Sequence, residues 1–102
     1  MRTFHEIAAE VAELVQSKDA AYGSAFDKAG LFLALLYPDG IGREQYGDML
    51  SMVRIFDKQM RIATDRDAFG ESPYKDILGY ALLALRGRLE AEEIENDLEQ
   101  FT

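Results

Sequence analysis

Four charged residues recur along one segment at a spacing suited to binding a ligand. They stand at positions i, i+3, i+4 and i+7 and would share one side of a helix: Arg54, Asp57, Lys58 and Arg61. Arginine and lysine bind phosphate oxygens, and an aspartate can ligate a divalent cation. These residues, which we call the charged seam, predict either a site for a phosphorylated ligand or a strip of ion pairs that stabilises the helix.

Polar residues on two neighbouring segments extend this prediction. Lys18 and Tyr22 are one helical turn apart, as are Asp76 and Tyr80. In a helical bundle these pairs and the seam would meet at one cleft, where the tyrosine rings would shape a pocket for a base or a sugar. The predicted substrate-binding residues are Lys18, Tyr22, Arg54, Lys58, Arg61 and Tyr80. The predicted Mg²⁺ ligands are Asp57, Glu71 and Asp76.

A site of this kind suits metal-assisted attack of water on a phosphoanhydride, because that reaction depends mainly on positioning and charge stabilisation. The spacing does not distinguish hydrolysis from binding alone, and it assigns no catalytic residue. The sequence contains no P-loop, G-x-G-x-x-G, H-E-x-x-H or G-x-S-x-G motif. Those established types of nucleotide-binding and catalytic site are therefore not expected here.

The helix that carries the seam is predicted to lie at the centre of the fold. The seam covers only about 100° of the helix circumference. Most of the remaining residues from Met49 to Thr64 are apolar, whereas an ordinary surface helix has a wide polar face. We therefore expect neighbours on most sides of this helix, with the seam facing either water or a site.

The segments before the central helix are also predicted to be helical. Thr3 and Glu6 form a capping box that starts an amphipathic helix ending at about Ser17. The run from Leu31 to Tyr37 is apolar on every side, which predicts a buried helical segment. The central helix itself is expected to begin at about Arg43.

The last part of the chain is predicted to be helical up to an acidic end. Ser72 suits the N-cap and Pro73 the first helical position of a helix whose apolar residues lie between Ile77 and Leu85. The segment from Leu89 to Phe101 keeps apolar residues at helical spacing among many acids. It predicts a further helix or a continuation of the last one.

Chain length and the helical patterns predict one all-α domain over residues 1–102, in which residues 89–102 form an acidic helix or tail. The hydrophobic content is 48% and there is no cysteine, which suits a folded chain without disulfides or thiolate chemistry. The net charge is −8, which disfavours general binding to nucleic acids. No stretch has the pattern of a signal peptide or the length of a membrane span. We expect a cytoplasmic protein that does not contact membranes.

Three blocks of the sequence, with Gly30 between the first two, carry a family resemblance. They are K-x-x-x-Y-G-S at 18–24, R-I-F-D-K-Q-M-R at 54–61 and E-S-P-Y-K-D-I-L-G-Y at 71–80. In this order they resemble the nucleotide modification associated domain 1 family of small phage and bacterial proteins. That family is similar to the all-α nucleoside triphosphate pyrophosphohydrolases of the MazG and dimeric dUTPase type.

The resemblance implies a MazG-like, oligomeric bundle of four to five helices. It also implies that carboxylates on two helices bind Mg²⁺ and that pyrophosphate is released from nucleoside triphosphates. The pyrophosphohydrolases carry E-x-x-E followed on a nearby helix by E-x-x-D. Here Glu10 and Glu13 supply the first motif, whereas the second does not occur. By helix order, the resemblance places the metal ligands on the helices of Asp57 and Asp76.

Two functional hypotheses follow from the sequence. The first is a homo-oligomeric, nucleotide-handling protein, namely a Mg²⁺-dependent pyrophosphohydrolase acting on NTPs or dNTPs. Its partner would be a nucleotide or another phosphorylated small molecule. The alternative is a non-catalytic helical interaction protein or nucleotide-binding protein, in which the charged seam is structural.

Overall fold

The computed structural model describes residues 1–100, and within that range it contains helices and no strand. Four α-helices follow one another: α1 (Phe4–Ala21), α2 (Ala25–Leu36), α3 (Tyr46–Asp65) and α4 (Pro73–Glu99). Single turns of 3₁₀ helix lead into and out of α3, at Arg43–Gln45 and Ala68–Gly70. The all-α prediction is confirmed for the described residues.

The N-caps predicted at Thr3 and Ser72 are present and fix the starts of their helices. The Thr3 hydroxyl accepts a hydrogen bond from the amide of Glu6 at 3.2 Å, and the Ser72 hydroxyl accepts one from the amide of Lys75 at 3.5 Å. Each bond satisfies an amide that has no partner within its own helix. Pro73 occupies the first turn of α4 as expected.

α1 is longer than predicted, and α4 takes one of the two forms predicted for the end of the chain. α1 continues past Ser17 to Ala21, because the break comes only at the turn from Tyr22 to Ser24. α4 runs without interruption to Glu99, so the acidic segment continues the last helix as far as the structure describes it. Phe101, part of the predicted apolar spacing of that segment, lies outside the described residues.

α3 lies at the centre of the fold, as its apolar circumference predicted. It contacts α1, α2 and α4. Phe56 on α3 is buried, and its ring meets the ring of Phe32 on α2 edge-on, with the ring centroids 4.5 Å apart. This geometry is favourable for aromatic pairs and anchors α2 to α3.

The prediction that the run from Leu31 to Tyr37 is buried is wrong for the single chain. The run is helical to Leu36, but Leu31 is 72% exposed and Leu35 is 83% exposed. The reason is that α2 packs mainly against α3, which covers only one side of it. A helix with apolar residues on every side can be buried, but its sequence does not show whether other segments of the chain cover it.

α1 projects from the rest of the chain. Every one of its residues from Phe4 to Ala20 is exposed, and only Ala21 at its C-terminal end is buried. The apolar side predicted from the amphipathic pattern is therefore uncovered over most of its length.

Among residues 1–100, no helix combines the length and the apolar character that crossing a bilayer requires.

Candidate functional site

A tight turn holds the C-terminal end of α1 against α3. Gly23 and Ser24 both have left-handed backbone angles, with φ of 62° and 59°. A side chain at Gly23 would clash with the Thr64 hydroxyl of α3, so the close approach depends on glycine. As a result, Lys18 and Tyr22 near the end of α1 lie beside α3.

A cavity of about 470 Å³ lies where α1, α2 and α3 meet. Its volume lies within the range of small-molecule sites, about 300–1,000 Å³. Six apolar residues form most of its wall: Val15, Ala25, Phe26, Ala29, Leu33 and Val53. Four polar residues complete it: Lys18, Asp19, Tyr22 and Asp57. An apolar wall with a few polar groups is typical of a site that binds a small organic ligand.

Asp57 is the seam residue that lines this cavity. Burial among its neighbours raises the pKa of its carboxyl above the ordinary value of 3.8, and the adjacent Lys58 partly offsets that rise. Removal of water from a carboxylate disfavours the charged form. Asp57 is therefore a carboxyl group that would gain from a hydrogen-bond donor supplied by a ligand.

Replacing Asp57 with asparagine is expected to remove a pH-dependent loss of stability. A raised pKa means that Asp57 favours the fold below pH 3.8 and that this contribution is lost as the pH rises through the folded-state pKa. Urea unfolding at several pH values checks this. The free energy of unfolding of D57N should rise relative to that of the wild type as the pH rises. A difference in this free energy that does not change with pH would contradict the prediction. D39N, at an exposed position, controls for the loss of one charge.

Lys58 is engaged by other residues of the chain. Its Nζ lies 3.2 Å from Oδ2 of Asp76 on α4, and the lysine side chain is only 16% exposed. The same ammonium group lies 5.8 Å from the centre of the Tyr22 ring, within the range of a cation–π contact. Lys58 therefore links α3 to both α4 and the end of α1, and it neutralises a predicted metal ligand.

Arg61 holds the loop that joins α3 to α4. Its side chain is completely buried, and Nη2 donates hydrogen bonds to the carbonyls of Ala68, at 2.7 Å, and of Glu71. Nη1 lies 3.7 Å from a carboxylate oxygen of Glu71. Nε and Nη1 have no hydrogen-bond partner among the described residues. Arg61 does not line the cavity, and in this conformation its guanidinium group is out of reach of a ligand there.

Arg54 and Tyr80 form a separate contact between α3 and α4. The guanidinium carbon of Arg54 lies 5.8 Å from the centre of the Tyr80 ring, and Arg54 is exposed. Neither residue lines the cavity. The six predicted substrate-binding residues thus divide: Lys18 and Tyr22 line the cavity, Lys58 contacts Tyr22 from beside it, and Arg54, Arg61 and Tyr80 lie elsewhere.

The three predicted metal ligands do not come together as one set. Asp57 lines the cavity, Asp76 is paired with Lys58, and the Glu71 carboxylate lies near Arg61 and is 67% exposed. Within residues 1–100, no three or more histidine, aspartate or glutamate side chains are grouped closely enough to hold a metal ion. Asp57, Glu71 and Asp76 therefore do not fit a shared Mg²⁺ ion in this arrangement, and Mg²⁺ binding stays a prediction.

The sequence did not point to several residues of the cavity wall. α2 contributes Ala25, Phe26, Ala29 and Leu33, none of which was predicted to bind a ligand. Ala25 and Ala29 are four residues apart, so their small side chains lie together on one face and leave space beside α1 and α3. That pair of small residues is a signal that sequence reasoning could have used.

Comparison of the chain with protein-family models, curated proteins and solved structures gave no match. The resemblance to the nucleotide modification associated domain 1 family therefore stays a prediction. The cavity itself is the feature of the structure that indicates a ligand site.

Proposed function

We propose that this chain binds a nucleoside or nucleotide in the cavity between α1, α2 and α3, with the base against the apolar wall. The observation that carries the proposal is the position of Lys18, Tyr22 and Asp57 on one cavity with a volume suited to such a ligand. Two of these residues were predicted from the sequence to bind substrate, and Asp57 was predicted as a metal ligand. The cavity gives them a shared role that does not require a metal.

The types of residue in the wall favour the base over the phosphates as the main point of recognition. Bases stack on aromatic and apolar side chains, and Tyr22 and Phe26 provide such surfaces. The Asp57 carboxyl could accept or donate a hydrogen bond at the edge of a base. Lys18 is the cation for a phosphate, whereas Asp19 and Asp57 would repel a large anionic group. A nucleoside or monophosphate therefore suits this wall better than a triphosphate does.

The contacts of the remaining seam residues support a structural role for them. Lys58 pairs with Asp76, Arg54 stacks near Tyr80, and Arg61 bonds to backbone carbonyls. These contacts join α3 to α4 and to the loop between them. This division corresponds to the alternative hypothesis of a nucleotide-binding protein with a structural seam. Pyrophosphohydrolase activity is the competing proposal that follows from the family resemblance.

A ligand panel tests the proposal and its competitor together. Thermal unfolding is measured with nucleosides and with mono-, di- and triphosphates of each base, in EDTA and then in Mg²⁺. We expect a saturable rise in unfolding temperature with at least one nucleoside or monophosphate in EDTA, because a ligand that binds only the folded state stabilises it. Ribose 5-phosphate is the matched control and should give no shift, since it lacks the base.

The same samples are assayed for release of pyrophosphate from triphosphates. Release that requires Mg²⁺ would favour the pyrophosphohydrolase proposal over simple binding. No shift with any nucleoside or nucleotide would contradict the proposed function.

Self-association, which the sequence also predicts, is a second proposal supported by a different observation, the exposed apolar sides of α1 and α4.

A further inference from the structure

The single chain exposes far more surface than a compact monomer of its length. Its accessible surface is 8311 Å², whereas a compact monomer of this size is expected to expose about 5,800 Å². Its radius of gyration is 18.6 Å, compared with about 13 Å expected for a compact domain of this length. The excess, about 2,500 Å² per chain, is of the order that one subunit of an obligate homodimer buries.

The apolar side of α1 supplies one part of this excess. Its members recur at helical spacing and are between 38% and 92% exposed: Phe4, Ile7, Val11, Leu14 and Val15. We call this set the α1 stripe. Most of the stability of a helix in a folded protein comes from packing of its apolar side, and little of α1 is packed against the chain. A projecting helix with an uncovered stripe therefore needs a partner that packs against it.

The outer side of α4 supplies a second part. Leucines recur there at alternating intervals of four, three and four residues and are between 49% and 59% exposed: Leu78, Leu82, Leu85 and Leu89. We call this set the α4 stripe. Alternate members are seven residues apart, and a seven-residue repeat is the spacing of helices that pair side by side with interlocking side chains. The α4 stripe is thus suited to packing against another helix.

We infer that a second copy of this chain covers the α1 and α4 stripes, so that the folded unit is a homodimer. The excess area matches what such a dimer buries, and one chain supplies both helical faces that the other needs. The charge of −8 disfavours an anionic membrane surface as the occupant. This inference gives the proposed self-association its interface and does not depend on nucleotide binding.

The acidic end of α4 sets the direction in which two copies of α4 run. Six acids and no bases follow Leu89 in this helix, from Glu90 to Glu99. Parallel copies would place these like charges side by side, which is unfavourable. Antiparallel copies keep the two acidic ends apart. A two-fold axis that crosses α4 near Leu82 and Leu85, perpendicular to the helix, would relate the two copies in this way.

The test is the molar mass of the full chain in solution, measured by light scattering or sedimentation over roughly a hundredfold range of concentration. The wild type should have twice the mass of one chain. The double variant V11E/L14E places two charges in the α1 stripe and should weaken association by about 100-fold or more. Neither residue lines the nucleotide cavity.

A matched control adds the same charges on the opposite side of α1. Ala9 and Gln16 are exposed and lie about half a turn from the α1 stripe, so A9E/Q16E should remain a dimer. L82E/L85E should weaken association as V11E/L14E does. A wild type of one-chain mass throughout, or equal masses for V11E/L14E and A9E/Q16E, would overturn the inference.

Circular dichroism separates dissociation from unfolding. If V11E/L14E loses its helical signal, V11A/L14A is used instead, and it should raise the dissociation constant about tenfold or more while staying helical at high concentration. No change in that constant would also overturn the inference. A dimer that shows no thermal shift with any nucleotide would support this interface and contradict only the proposed nucleotide site.

Discussion

Replacing Arg61 with methionine is expected to lower the free energy of unfolding by about 1–3 kcal/mol. Arg61 is completely buried and donates hydrogen bonds to the carbonyls of Ala68 and Glu71. Methionine keeps most of the apolar bulk and removes every donor. The carbonyls then lose the charged donor that they share, and the loop between α3 and α4 loses its attachment. A loss of this size is a large part of the stability of a small domain.

Urea unfolding at fixed protein concentration measures this loss. R66M is the matched control, because Arg66 is exposed and its side chain contacts the exposed Asp67. We expect no measurable change for R66M. R61K should fall between the two, because a lysine keeps the charge but cannot reproduce the fork of an arginine. Equal stability of R61M and R66M would contradict the structural role of Arg61.

Replacing Ala29 with tryptophan is expected to reduce nucleotide affinity by about 100-fold or more, because the indole would occupy the space of the base. Ala29 is half-buried on α2 and lines the cavity. The cavity of about 470 Å³ leaves room for the larger side chain without forcing α2 away from α3. Calorimetric titration with the best ligand of the panel gives the change in affinity.

Ala34 provides the matched control for this substitution. It is exposed on the same helix and does not line the cavity, so A34W adds the same side chain at a different face. We expect A34W to bind as the wild type does, and both variants to keep the wild-type helical signal. Unchanged affinity in A29W would place the ligand outside this cavity, and equal losses in both variants would indicate an indirect effect.

The helices could be predicted from the sequence because their signals are local. The caps at Thr3 and Ser72 act over a few residues, and the apolar circumference of α3 indicated its central position before any neighbour was known. The exposure of Leu31 and Leu35 could not be predicted in the same way. Whether an apolar face is covered depends on distant segments, or on a second chain.

The candidate site could be predicted only in part, for a related reason. Spacing along one helix predicted that the four seam residues share one side, but it carries no distance between helices. It therefore could not show that Asp76 pairs with Lys58 instead of joining Asp57 and Glu71. Nor could it show that Arg61, at the end of the seam, turns toward the carbonyls of the following loop.

Amide chemical-shift mapping of the isotope-labelled full chain tests directly whether a nucleobase binds between α1, α2 and α3. The protein is titrated in EDTA with the nucleoside or monophosphate that gives the largest thermal shift. We expect saturable changes centred on Tyr22, Ala29 and Asp57. Changes centred on Arg54 and Tyr80 would contradict the claim, as would the absence of any saturable change.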